Sequence, residues 1–519
     1  SSDNEEMLIH LNKRVVTMKQ LGYTDSIFVT LETPTTPQHI GFLGVYDPST
    51  APNGMVRFKD VLANFGRRLN TLPTFRTRLV QVPGSLDRPY WVVDDSFDVE
   101  YHIRHIAVPQ PGDWRQLCIQ VARLHSRGLD LKRPLWECNV IEGLNNVEGV
   151  PPGGFAVYMK IHHSMVDGDL GQRVLAILHD LEADPMVYDD EEDEEEIAEG
   201  MQEEYGGPML GDTELITRAF TNRVRNAIPY AKTAVQVIGN LGDTLVKMAR
   251  QELPAPAMGP KTRFDEPVGA HRVLDATSFD LNDIKAIKTA THTTVNDVCV
   301  TICSGALRKY LEFHGELPDD SLIANMPVNM RKRGITSDEN NQVAAMMAKI
   351  HTEIADPIDR LHMVHDSIGD AKKFIGTPIA EPLKIVGLFP PFMAKPLSRL
   401  YAHGELTRFL PAGTPCVITN VPGPPMDLYS NGAKLVKMHL LGLLTPGVGL
   451  FHAIFSQGDV LSITVLCDRD MMPDPAFYRQ CLEESYAELK EAVLGKPKPK
   501  AAKAAPKKKA AEPKAQPEA

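Results

Sequence analysis

The sequence lacks any apolar run long enough to cross a bilayer, and its N-terminal stretch has no hydrophobic segment of the signal-peptide type. A spanning helix needs about 20 consecutive apolar residues, so we expect a protein that is soluble or peripheral to a membrane. Cysteine is also scarce: the seven cysteines are odd in number and show no CxxC pairing. They are interpreted as reduced core residues of a cytoplasmic protein and not as a disulfide framework.

The length of the chain predicts two domains, because 519 residues at 43% hydrophobic can bury two cores of ordinary size. The formal net charge of −12 is unevenly distributed, with a dense block of Asp and Glu between Asp189 and Glu204. Such a block repels itself and is predicted to be a solvated linker, with cation binding as the alternative. The predicted division is an N-terminal domain (1–185), an acidic linker (186–210), a C-terminal domain (211–495) and a disordered basic tail (496–519).

The predicted tail is an Ala/Pro/Lys segment from Lys496 onward with almost nothing to bury. A polybasic tail can adhere to anionic lipid at about 1 kcal/mol per charge near the surface. Nucleic acid would attract it equally well, and a solubility role is a third interpretation. The rest of the sequence contains no nucleic-acid-binding module, so no nucleic acid partner is expected.

Two apolar segments are predicted to pack in a core or to meet lipid. Residues 213–251 have helical periodicity and indicate a long helix or a helix pair. Residues 382–393 carry prolines at both ends and two phenylalanines beside a double proline. This second segment is interpreted either as part of a lipid entrance or as a buried kinked helix pair.

The most informative residues are the heptapeptide His162-His163-Ser164-Met165-Val166-Asp167-Gly168, which follows a predicted strand over residues 155–161. In that strand the odd-numbered residues are all apolar and the even-numbered ones are mixed. By this alternation His163 continues the apolar face and His162 the mixed face. Because the two imidazoles then point to opposite sides, they do not converge on one metal ion, and no zinc site is predicted.

His163 is the candidate general base, because an imidazole at a strand end beside an apolar tunnel is suited to taking a proton from a hydroxyl. Asp167 and Gly168 turn the chain into a predicted helix over residues 170–181, and Asp167 is assigned a structural role as a cap or through an ion pair. Ser164 is disfavoured as a nucleophile because it lacks a Gly-x-Ser-x-Gly elbow. The alternative interpretation is a pair of histidines with satisfied hydrogen bonds, followed by an ordinary turn.

The second half of the chain is predicted to supply the other wall of the site. Thr294 and Asp297 fit a capping box, which places Asn296 in the first turn of a helix. There its amide either faces developing negative charge on a substrate oxygen or is only a neighbour of the cap. Asn420 ends a predicted strand over residues 416–421, before a rigid Pro-Gly-Pro turn. Earlier in the chain, Trp136 opens another predicted strand and is favoured as a core residue over a substrate contact.

The heptapeptide matches the HHxxxDG signature of the superfamily that includes chloramphenicol acetyltransferase-like enzymes, condensation domains and bacterial wax ester synthases. Further segments resemble the bacterial wax ester synthase/diacylglycerol acyltransferase family, in order, from about residue 16 to about residue 490. Two segments depart from that pattern: Phe264-Asp265 stands where Phe-Asn is expected, and Asn340-Asn341-Gln342 where Gly-Asn is expected. The matching segments are 25–39, Pro134-Leu135-Trp136, Asn296-Asp297, 327–331 and Asn420–Pro424.

The resemblance implies an α/β fold of two chloramphenicol acetyltransferase-like domains, with mixed sheets flanked by helices and an active-site tunnel between them. It implies direct transfer of a long-chain acyl group from acyl-CoA to a fatty alcohol or diacylglycerol, with no metal and no other cofactor. Together with the cysteine usage, this predicts a cytoplasmic enzyme, and peripheral binding to the inner membrane or to lipid inclusions stays open. The implied catalytic set is His162, His163, Asp167 and Asn296, and the implied substrate-side set is Gly168, Asn420, Pro134 and Trp136.

Two other functions stay open from the sequence. The first is a related acyltransferase or condensation enzyme that takes its acyl group from a carrier protein, for which a carrier-docking face would be diagnostic. The second is a non-catalytic lipid-granule protein, against which the complete His-His-Asp-Gly set argues.

Overall fold

The structure is a computed structural model that describes residues 18–166, 170–184, 205, 209–253, 259–329, 343–375, 377, 391–402 and 415–495. Asp167, Gly168, nearly all of the acidic linker (186–210) and the whole basic tail lie outside the described residues, as do residues 382–390. The expectations for these segments therefore stay predictions.

The strands of the described residues belong to three sheets. They are β1 (Lys19–Gln20), β2 (His39–Asp47), β3 (Thr77–Val80), β4 (Tyr90–Val93), β5 (Ile103–Ala107), β6 (Trp136–Leu144), β7 (Gly154–His162), β8 (Arg272–Asp280), β9 (Ile323–Asn329), β10 (Val343–Lys349), β11 (Cys416–Pro422), β12 (Tyr429–Ser430), β13 (Ala433–Leu441), β14 (Leu450–Gln457) and β15 (Val460–Asp468).

The α-helices of the described residues range in length from one turn to more than ten turns. They are α1 (Tyr23–Leu31), α2 (Phe58–Asn70), α3 (Val99–His102), α4 (Trp114–His125), α5 (Leu170–Leu178), α6 (Asp212–Ala249), α7 (Leu281–Thr291), α8 (Val295–Phe313), α9 (Pro357–Ala371), α10 (Pro391–Ala402) and α11 (Pro475–Leu494). Among the described residues, no helix is both long and apolar enough to cross a membrane.

The N-terminal sheet has the order β12-β13-β2-β7-β6-β5 and is mixed, because only β5 and β6 run parallel. Strand β7 lies inside this sheet, and all nine of its residues are buried. Its odd-numbered residues from Phe155 to Ile161 pack in one core, whereas Ala156 and Tyr158 pack in the other. This arrangement confirms the two-faced strand that the alternation of residues predicts.

The edge of the N-terminal sheet is completed by residues from late in the chain. Strand β13 pairs antiparallel with β2, and β12 pairs with β13. The strands of the N-terminal sheet therefore come from both sides of the predicted boundary at residue 185, because residues 429–441 belong to this sheet. The physical reason is that β2 would otherwise leave a row of unpaired backbone groups at a sheet edge.

The second large sheet, β10-β9-β11-β14-β15-β8, is also mixed, with β11 parallel to both β9 and β14. Helices α8, α9 and α11 pack on one another beside it, and most residues of α8 are buried. Helix α4 packs against β8, so residues from both parts of the chain share one core. The predicted α/β class with two mixed sheets flanked by helices is thus confirmed.

Candidate active site

The two histidines lie where β7 ends. His162 is the last residue of the strand, and His163 begins a 3₁₀ turn, His163–Met165. The His162 backbone N–H donates to the Leu135 carbonyl at 2.9 Å, and the His163 N–H donates to the Gln38 carbonyl at 2.8 Å. These two bonds fix the backbone of both residues, so the strand alternation applies to His162 but stops before His163.

The His162 side chain is completely buried and held on both sides. Its Nδ1 accepts the Ser164 N–H at 3.2 Å and lies 2.7 Å from Ser164 Oγ. An Nδ1 that accepts a backbone N–H carries no proton, so the proton of this ring is on Nε2. That atom faces the Glu32 carboxylate, with 3.3 Å between Nε2 and Oε2. Both His162 and Ser164, which is 1% exposed, are therefore closed to solvent.

His163 is partly exposed and is held by an aromatic stack. Its ring lies on that of Phe28, with 4.0 Å between centroids and 19° between planes. Burial of the ring nitrogens, reinforced by nearby His162, lowers the pKa of His163 to about 4. The imidazole is accordingly neutral at physiological pH, which is the form that accepts a proton.

A network of buried polar side chains connects β2, β7 and α4 next to the histidines. His39, which pairs with His162 across β2 and β7, has its Nε2 2.9 Å from the His125 carbonyl. His125 Nε2 lies 2.8 Å from the Gly442 carbonyl, and the Tyr158 hydroxyl lies 2.6 Å from His125 Nδ1. Lys160 Nζ donates to two backbone carbonyls of the α4 end. These hydrogen bonds stiffen the end of the strand that precedes His163.

Asn296 lies in the first turn of α8 and is partly exposed. The capping box before it is confirmed: Asp297 Oδ2 accepts the Thr294 N–H, and Thr294 Oγ1 accepts the Asp297 N–H. Asp297 also lies 2.7 Å from Nδ1 of His365 on α9, so the start of α8 is anchored. Among the described residues, no hydrogen bond, ion pair or ring contact joins Asn296 to His162 or His163.

The remaining predicted residues divide between surface and core. Asn420 is partly exposed near the end of β11, and a Cβ added to nearby Gly423 would be 2.2 Å from the Ser456 carbonyl, so this turn requires glycine. Pro134 is buried, and Trp136 is 1% exposed with its Nε1 donating to the Phe75 carbonyl at 2.8 Å. The structure thus places Trp136 in the core and not on a surface that a substrate reaches.

Metal binding has no support among the residues that the structure describes. No three of their His, Cys, Asp or Glu side chains are arranged to hold an ion. All seven cysteines are free and buried.

An α/β fold of two mixed sheets, with adjacent histidines at the end of a central strand, is the arrangement that the HHxxxDG resemblance implies. Residues 21–299 match the wax ester synthase/diacylglycerol acyltransferase catalytic domain, and residues 340–490 match the C-terminal domain of the same family. The chain belongs to the wax ester synthase/diacylglycerol acyltransferase family.

Individual relatives agree over nearly the whole chain. A putative diacylglycerol O-acyltransferase of Mycobacterium tuberculosis is 32% identical over 476 residues, 90% of this chain and 99% of the relative. The O-acyltransferase WSD of Acinetobacter baylyi is 30% identical over 490 residues, 92% of this chain and 98% of the relative. Among solved structures, the wax ester synthase/diacylglycerol acyltransferase of Marinobacter aquaeolei superposes with a TM-score of 0.63 at 25% identity, covering 92% of this chain and 100% of that one.

Proposed function

We propose that this protein transfers a long-chain acyl group from acyl-CoA to a fatty alcohol, giving a wax ester, or to diacylglycerol, giving triacylglycerol. Family membership supports the reaction class. The observation that carries the assignment of residues is the His163 imidazole, which is neutral, partly exposed and stacked on Phe28 at the strand end.

The mechanism proceeds without an acyl-enzyme. His163 takes the proton of the acceptor hydroxyl, and the oxygen attacks the thioester carbonyl carbon. The tetrahedral oxyanion is held by Asn296 and by backbone N–H groups of the first turn of α8, where the helix end is positive. The C–S bond then breaks, the ester leaves, and His163 returns the proton to the thiolate. No metal or prosthetic group takes part in this sequence.

The reaction is tested by incubating purified protein with palmitoyl-CoA and either hexadecanol or dipalmitoylglycerol. We expect ester formation with release of free CoA. Turnover that requires an acyl-carrier-protein thioester would instead favour the carrier-dependent alternative. Complete absence of turnover with every thioester would favour a non-catalytic lipid-binding protein.

Replacement of Asn296 by alanine tests the oxyanion assignment. We expect turnover to fall roughly a hundredfold while acyl-CoA binding changes little, because the amide would contact the oxygen only in the transition state. Steady-state kinetics with palmitoyl-CoA separate the two parameters, and Asn282→Ala at the start of α7 is a matched control. A loss confined to apparent affinity would reduce Asn296 to a neighbour of the cap.

Lipid-surface binding is supported by an exposed apolar stripe on α6. This helix has 38 residues, and its side chains at spacings of three, four and seven lie on one face. Val224 is 80% exposed and Val235 71%. Between residues 215 and 242 the sequence has four basic residues and no acidic one. The stripe consists of Phe220, Val224, Ile228, Val235, Ile238 and Leu245.

Helix α10 lies between α6 and the helix that carries Phe28. The Arg223 guanidinium lies 4.6 Å from the centre of the Phe392 ring, and Met393 beside it is 51% exposed. Helix α10 packs on α1, which carries Phe28. An apolar stripe with basic flanks is the composition that binds an anionic lipid surface in the interface plane. We therefore assign this stripe to peripheral contact with membranes or lipid inclusions.

Sedimentation with anionic liposomes tests this contact. The double variant Val224→Asp/Ile228→Asp should bind several-fold less at low and high salt, because it loses apolar burial. Deletion of residues 496–519 should weaken binding at low salt only, since exposed charges are screened. Gln236→Asp/Asn240→Asp, with the same added charge on the polar face, is the matched control. Turnover on detergent-dispersed substrate should not change in any of them, and equal loss of binding in the control would reject the stripe.

A further inference from the structure

A cavity of about 430 Å³ lies between α4 and the first residues of β8, apart from the histidine motif. Its charged and polar lining is strongly basic, and no Asp or Glu is among the described residues that line it. The rest of the lining is small or apolar, such as Ala122, Val273 and Leu274. We call it the arginine pocket, after Arg123, Arg127, Arg272 and Arg469.

One of the four arginines, Arg272, is held in place by hydrogen bonds. Arg272 is buried, its Nη1 donates to the Gly269 carbonyl at 2.7 Å, and it lies 3.9 Å from the Asp468 carboxylate. Its backbone N–H donates to Ser126 Oγ at 3.2 Å, which joins β8 to the end of α4. These bonds fix the inner wall of the pocket and offset much of the charge of this one guanidinium.

The other three arginines keep their charge available. Arg123, Arg127 and Arg469 are exposed, and within the described part of the chain their side chains make no hydrogen bond or ion pair. The whole chain has a net charge of −12. Three such cations around one cavity therefore give this region a charge opposite to that of the chain as a whole. Guanidinium groups bind phosphate oxygens in pairs, which makes a phosphorylated anion the matching ligand.

Two chains of contacts connect the pocket to the histidines. A guanidinium N–H of Arg272 donates to the Thr35 carbonyl, and the carbonyl of Gln38 accepts the His163 N–H. Thr35 and Gln38 are three residues apart, so the distance between their Cα atoms is at most about 11 Å.

The second connection starts at Gly128, next to Arg127. A Cβ added to Gly128 would be 3.6 Å from Glu32 Oε1, and the other oxygen of Glu32 lies 3.3 Å from His162 Nε2. The loop after α4, which carries Arg127, therefore approaches the His162 side of the motif through Glu32.

We propose that the arginine pocket binds the phosphate groups of the nucleotide portion of acyl-CoA. The inference rests on the proposed acyl-CoA-dependent function and assigns the part of the molecule that recognises the nucleotide. The exposed arginines bind the phosphates, the apolar wall accommodates the adenine ring, and the pantetheine arm carries the thioester toward His163. Arg272 is a positioning residue that joins the two walls.

The test compares two thioesters that carry the same acyl group. Palmitoyl-CoA has the nucleotide, whereas S-palmitoyl-N-acetylcysteamine lacks every phosphate. For Arg123→Ala/Arg469→Ala, the KM for palmitoyl-CoA should rise about tenfold or more, because charge-assisted hydrogen bonds are lost. kcat should be nearly unchanged, and the KM for the truncated thioester should not move. Arg115→Ala, an exposed arginine on the same helix outside the pocket, should leave both KM values at the wild-type level.

Calorimetric titration supplies a readout that does not depend on turnover. CoA and adenosine 3′,5′-bisphosphate should bind wild type and lose affinity in the double variant, and inorganic phosphate should bind far more weakly. An unchanged KM for palmitoyl-CoA, or an equal rise for both thioesters, would overturn the proposal. Phosphate binding as tight as the bisphosphate would also overturn it, by showing a site for free anions. If wild type turned over neither thioester, the proposed function would fail, yet loss of CoA binding in the double variant would still support the pocket.

Discussion

Replacing His163 by alanine should lower turnover by roughly two to four orders of magnitude and leave the fold intact. The imidazole is the group that we assign to deprotonation of the acceptor hydroxyl and to reprotonation of the thiolate. It is partly exposed, so its removal opens no large cavity in the core. Turnover of palmitoyl-CoA with hexadecanol measures the effect, and thermal unfolding checks that the variant is folded.

The matched comparison is His162→Ala. This ring is fully buried between Ser164 and Glu32, so its loss should appear chiefly as lower stability, with a smaller loss of turnover. The pH profile gives a second check, because the pKa of His163 is lowered to about 4. The acidic limb of kcat/KM should therefore lie well below pH 6.5, the ordinary value for histidine. Near-wild-type turnover in His163→Ala would show that another group is the base.

Several of these features could be predicted from the sequence because they depend on local periodicity. Alternation along residues 155–161 correctly separated the two faces of β7, and the spacing of Thr294 and Asp297 correctly placed the start of α8. Both patterns repeat within a few residues, so the backbone geometry alone determines them.

Other features depend on pairings that no local pattern encodes. Phe28 on α1 and Glu32 just after it contact the histidines from more than 120 residues earlier in the chain. Residues of β13 pair with β2 from almost 400 residues later. A usable signal existed only for the first two, since they lie four residues apart within segment 25–39, which resembles the family. Sheet-edge pairing depends on the whole fold, and so the division at residue 185 did not describe it.

The buried histidines lead to a further expectation about stability. Besides His163, burial lowers the pKa of His125 and His439 to about 3, and of His179 and His452 to about 4. The unfolded chain takes up protons on these rings near pH 6.5, whereas the folded chain does not. Folding stability is therefore complete above pH 6.5 and is lost as the pH falls below that value toward the folded pKa values.

Lowering the pH from 7.5 to 5.5 should reduce the free energy of unfolding by on the order of 5 kcal/mol, a large part of the stability of an ordinary protein. Each of the five rings contributes about 1 kcal/mol, and Asp265 opposes them, because burial raises its pKa to about 6. Urea unfolding at the two pH values measures the difference. His452→Gln should lose a part of the pH dependence, since its ring is buried against Tyr478. A free energy of unfolding that stays constant over this interval would mean that the folded and unfolded chains take up the same number of protons, which would contradict the lowered pKa values.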